Sequence, residues 1–91
     1  MIIHLTQDGR AIVSGQMMFI DGMGIILGRE ARALEITQNR ISDATIVVRA
    51  HKWARAGDVQ RLIKKCQEYG FEKFALRAEG RQGQPKYISG S

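Results

Sequence analysis

Apolar and polar residues alternate at the start of the chain: Ile3 and Leu5 are separated by His4 and followed by Thr6, and beyond Gln7-Asp8-Gly9-Arg10 a second apolar run, Ala11-Ile12-Val13, begins. Period-two alternation on both sides of Asp8-Gly9 predicts a β-hairpin, because glycine takes the positive φ that a tight turn requires. Ser14-Gly15-Gln16 reads as a further turn, and Met17-Met18-Phe19-Ile20 adds a short third strand. The period then changes. Met23, Leu27, Ala31 and Leu34 recur at helical spacing while Arg29, Arg32 and Glu35 face away, which predicts a helix over 21–38 with Asp21 as its cap. Gly22, Gly24 and Gly28 weaken that helix and blur its start.

From Ala44 to Ala50 the run is β-branched and nearly continuously apolar, as suits a central strand. A second helix, over 58–69, sets Val59, Leu62, Ile63, Cys66 and Tyr69 on one face and Gln60, Arg61, Lys64, Lys65, Gln67 and Glu68 on the other. Gly70 stops it in the left-handed conformation, and Phe71 then packs back on its last turn. The last strand, over 73–79, sends Phe74, Leu76 and Ala78 to one face and Lys73, Ala75, Arg77 and Glu79 to the other. The expected fold is α+β in two layers (α/β two-layer): a small mixed β-sheet with two helices packed on one face, in the order β-β-(β)-α-β-α-β. The last strand-helix-strand unit makes a parallel crossover. One domain spans 1–79. A polar tail spans 80–91, holds the only proline, Pro85, and is flexible unless its Tyr87 and Ile88 are ordered as a strand at a dimer edge.

Composition changes this picture little. With 91 residues, 44% hydrophobic and 25% charged, the chain is one folded domain. A domain of this size buries only about 60 to 65% of the surface its unfolded chain exposes, so a second copy is an expected source of stability. The net charge of +5 is scattered, its longest run being Lys64-Lys65, and favours anionic surfaces without choosing among them. A single cysteine excludes an intrachain disulfide. The most apolar stretch, 17–27, is interrupted by Asp21 and far shorter than the roughly 20 residues of a membrane helix, so no membrane helix or signal peptide is expected in this chain.

Three stretches carry a resemblance: Ile46-Val47-Val48-Arg49-Ala50-His51-Lys52, then Gly57-Asp58-Val59, then Gln67 to Leu76 with its Tyr69-Gly70-Phe71. Together with the early Asp8-Gly9 hairpin they resemble the ExbD/TolR family of biopolymer transport proteins over about 2–79. In that family a strand ending in Arg-Ala-Asp-Lys leads through a loop to a helix that ends in Ala-Gly-Phe or Ala-Gly-Tyr, and a final strand follows. His51 stands where the family usually has Asp, and Ala56 where an aromatic is common. The resemblance implies the periplasmic domain of an inner-membrane-anchored protein, its membrane helix absent from this chain. It implies a non-enzymatic module that dimerises within a complex coupled to the proton-motive force. The implied partners are itself, ExbB/TolQ-like membrane subunits, a TonB/TolA-like protein and peptidoglycan, with no nucleic acid and no cofactor.

The residues themselves offer few chemical sites. Arg49, Lys52 and Arg55 flank a loop entering a helix, where an anion could be held, or they belong to an ordinary structural loop. Trp53 in that loop is either a partner anchor or a cap on the core. Arg61 with Lys64-Lys65 reads as a solvated helix face. His4 and His51 read as surface residues, not metal ligands, and Cys66 as a small buried hydrophobe. No catalytic set is expected: there is no paired carboxylate, triad or metal cluster in the sequence. An open sheet leaves unpaired backbone along its edge, so Lys73, Ala75 and Arg77 with Tyr87 and Ile88 are the expected dimer-edge residues. A different class of function, a small basic cytoplasmic domain binding nucleic acid or another ligand through residues 49–61, explains the charge but not the order of motifs.

Overall fold

The computed structural model describes residues 1–78 and the backbone of residues 86–89. Six strands form one mixed sheet in the order β3-β2-β1-β4-β5-β6. Strands β1 (Ile2–Leu5) and β2 (Arg10–Val13) make the expected antiparallel hairpin, with Gly9 at φ 83° in its turn. Strand β3 (Gln16–Phe19) folds back on β2 through Ser14 and Gly15, both at positive φ, as a two-residue hairpin turn demands. Strand β4 (Thr45–Ala50) lies parallel to both β1 and β5 (Lys73–Ala78) at the centre of the sheet, with Ile46 and Val48 buried. Strand β6 (Lys86–Ser89) runs antiparallel to β5.

Helices α1 (Gly24–Ile36) and α2 (Ala56–Gln67) follow the expected order, and the two-layer α+β architecture holds. The inward residues Ile3, Leu5, Ala11, Val13, Ile46, Val48 and Phe74 of the sheet meet Met23, Leu27, Ala31, Leu62 and Cys66 in one core. Full burial of a side chain such as Leu27 or Leu62 stabilises by about 1.5 to 3 kcal/mol.

Local details differ from the pattern in the sequence. The chain enters α1 through a 3-10 turn, Ile20–Met23, and Asp21 makes no capping bond. Asp21 lies inside that turn and not at its N-cap, and its exposed carboxylate is 3.6 Å from Arg61. Helix α1 stops at Ile36, because Gln38 adopts φ 61° and the Asn39 N–H donates to the Leu34 carbonyl at 2.8 Å. That bond gives the closure usually associated with glycine. Helix α2 begins at Ala56, two residues ahead of Asp58, which places the Asp58 carboxylate in the first turn where the helix dipole favours it. At its other end Gly70 takes φ 95°, the Phe71 N–H donates to the Cys66 carbonyl at 3.3 Å, and Phe71 is buried as expected.

Candidate functional site

The loop from β4 to α2 is built on His51. Its backbone N–H donates to the Leu5 carbonyl at 2.8 Å, and its Nδ1 and carbonyl accept from the N–H groups of Trp53 at 3.1 Å and Ala54 at 2.8 Å. These bonds close a tight turn and leave Trp53 projecting, 65% exposed, with the Lys52 ammonium 5.8 Å from its ring centre. A core-capping role for Trp53 is therefore overturned by its exposure. The structure brings Lys52 and Trp53 together and sets Arg55 at the entrance to α2. Arg49 alternates to the face of the sheet away from the helices and does not join them.

Beside this loop the turn from β1 to β2 is held by Thr6. Its hydroxyl accepts the Arg10 N–H at 2.9 Å and donates to the Asp8 carboxylate. That hydrogen bond, aided by Arg10, holds the Asp8 carboxyl below its ordinary value of 3.8. Gly9 lies directly under Asp58: a Cβ there would stand 2.7 Å from Asp58 Oδ2. Asp58 in turn accepts from Arg61 at 3.2 Å, and Lys65 lies 3.6 Å from Glu68. Two cations of the basic helix face are thus already matched by acids, as a solvated face requires. Cys66 is fully buried, and burial pushes its thiol up to about 12. Among the described residues no group of three His, Cys, Asp or Glu is arranged to hold a metal ion.

The expected dimer-edge residues Lys73, Ala75 and Arg77 lie along β5, and β6 of the same chain pairs with it, Tyr87 in register with Ala75 and Ile88 with Phe74. The tail segment 86–89 is thus a strand of its own sheet, while the rest of the tail, with Glu79, lies outside the described residues. At the opposite edge β3 ends the strand order and has no neighbour on its outer side among the described residues. Between β3 and the start of α1 an open cleft of about 460 Å³ is lined by Met17, Met18, Ile25, Ile26, Gln16 and Arg29.

The chain matches no family model, no curated protein and no solved structure. Functional reading therefore rests on its own geometry. One feature of that geometry is not visible in any stretch of the sequence: the outer face of the sheet. Register aligns Met17, Ile12, His4, Arg49 and Arg77 in one row across five strands, and Ile2, Val47 and Ala75 in the next. The alternation of the last strand places Arg77 outward, whereas the nearly continuous apolarity of β4 gave no face to Arg49. Only strand pairing sets Arg49 beside Arg77.

Proposed function

We infer that this chain is a non-enzymatic periplasmic module of the ExbD/TolR type, acting by dimerisation and by binding a partner protein or the cell wall in a complex driven by the proton-motive force. The observation that carries the reading is the unit from β4 to β5. The stretches that resemble the family form one parallel strand-helix-strand crossover, with Gly70 at positive φ closing the helix and Phe71 buried behind it. The His51 substitution is compatible with this reading. An imidazole nitrogen that accepts the N–H two residues on reproduces what an Asp carboxylate does in such a turn. Among the described residues no helix is long and apolar enough to cross a membrane, so anchorage and contact with ExbB/TolQ-like subunits would lie with another segment.

The test uses the natural gene product. The reading frame upstream of Met1 should encode one apolar span bearing an Asp, and affinity purification from detergent-solubilised membranes should recover a polytopic ExbB/TolQ-like subunit. A frame without an apolar segment, with the protein recovered only from the cytosol, overturns the proposal.

A further inference from the structure

Among the described residues, the strands that make the outer sheet face contribute charge of one sign only. Its charged residues among those described are Arg10, Arg49, Lys73 and Arg77, with His4 in the same row, and no strand of the described chain contains an Asp or Glu. Arg10 is answered by Asp8 at 3.5 Å and Lys73 by Asp43 at 3.7 Å, both acids reaching in from turns at the rim. Arg49 and Arg77 sit side by side on neighbouring strands, and neither pairs with an acid among the described residues. Adjacent strands lie only about 4.8 Å apart, and like charges directly opposite one another destabilise a sheet. Among the described residues this pair is therefore an uncompensated repulsion.

Beside this basic pair runs an apolar row. Ile2 is about half exposed, Val47 half-buried, and Ala75 buried even though it faces away from the helices. Arg77 is exposed, Arg49 is half-buried, and the apolar row lies beside the pair. We propose that this face is a docking surface for an acidic segment of a partner protein, one whose carboxylates meet Arg49 and Arg77 and whose apolar side chains reach Ile2 and Val47 beside them. The inference rests on the charges and register of the sheet and is independent of the proposed function.

Other occupants fit less well. A second copy would set the same cations against each other. A bilayer takes up protruding apolar side chains, whereas the pair at the centre of this face is two arginines. Nucleic acid favours open aromatic faces for stacking, and Phe19, the ring on this face among the described side chains, is covered by Arg10 at 5.1 Å.

The experiment titrates the full, isotope-labelled chain with three peptides of about 18 residues, long enough as helices to cross the sheet. One is an amphipathic Glu/Leu/Ala peptide, the second has Lys in place of Glu, and the third has Ser in place of Leu. Phosphatidylglycerol-containing vesicles and poly(U) are run beside them. The first peptide should bind at least about tenfold more tightly than every other probe, a gap of about 1.4 kcal/mol, and shift the amides of Ile2, Val47, Arg49, Ala75 and Arg77. Arg77→Glu should abolish that binding yet raise the thermal midpoint by about 2 to 5 °C, because it turns a repelling pair into an attracting one. Arg49→Gln should weaken binding at unchanged midpoint or above. Equal binding of the Ser-containing peptide, tighter binding of vesicles or poly(U), amide shifts confined to the helical layer, or full binding by Arg77→Glu would each overturn the proposal.

Discussion

The phenol of Tyr69, at the end of α2, lies over the first residue of α1: a Cβ on Gly24 would stand 2.6 Å from Tyr69 Oη, and one on Gly28 would stand 3.6 Å from the ring. Two glycines that weaken α1 locally thus make the seat on which α2 closes. They are not equivalent. Only Gly24 is too close to accept a methyl group without displacing the phenol.

Gly24→Ala should therefore destabilise by about 1 kcal/mol through overpacking, while Gly28→Ala, within the helix and with room for a methyl group, should stabilise by about 0.5 to 1 kcal/mol. In a Tyr69→Phe background the cost at Gly24 should vanish, since the nearest remaining ring atom would be 3.7 Å away. Urea melts of the four chains in this double-mutant cycle measure the coupling, expected at about 1 kcal/mol. Independent, additive effects would show that the two residues do not meet.

Gly9→Ala meets two obstacles, a backbone at φ 83° and Asp58 Oδ2 at 2.7 Å, and should cost about 2 kcal/mol or more. Gly15→Ala has the same sign of φ but open space around it, so it should cost only about 1 kcal/mol. Adding Asp58→Ala should recover part of the first loss and none of the second. Thermal midpoints of the five chains decide it.

Within α2, Leu62→Ala empties a fully buried site and should cost about 2 to 4 kcal/mol, whereas the exposed Lys64→Ala should change stability by less than about 0.5 kcal/mol. Denaturant midpoints that fall equally for both would mean the helix is rotated from the face described.

The Cys66 thiol is raised from its ordinary 9.0 to about 12 because burial disfavours the thiolate. The folded state thus holds its proton where the unfolded state has released it. Its contribution is fully present below pH 9.0 and is lost as pH rises toward about 12, at a rate of up to about 1.4 kcal/mol per pH unit. Cys66→Ala should flatten that part of the stability curve. At neutral pH a thiol reagent should label Cys66 only at the rate of unfolding, and immediate stoichiometric labelling of the native chain would contradict its burial.

Much of the fold was legible because the local signals agree with the tertiary structure. Ile3, Leu5, Ala11 and Val13 alternate as strand residues must, Met23, Leu27 and Ala31 recur at the helical period, and Gly70 marks a helix end that only a left-handed residue can make. Helix boundaries were less legible. Asp21 looks like a cap to a reader of neighbours, but its partner Arg61 is forty residues away, and Gln38 closes α1 by a conformation that its side chain does not announce.

By itself the sequence determined the type and order of the main strands and helices and the apolar face of each helix, since periodicity and turn chemistry are short-range properties of the chain. It also placed Cys66 and Leu62 in the core and Lys64 outside it. Only the tertiary structure decided what stands beside what. Strand order and register put Arg49 next to Arg77 and Ile2 in line with Val47 and Ala75, folded β6 onto β5, and turned Trp53 outward beside Lys52. The physical reason is that an outward position needs only alternation, whereas a neighbour across a sheet depends on how two strands far apart in sequence align. That alignment is fixed by the packing of the whole core.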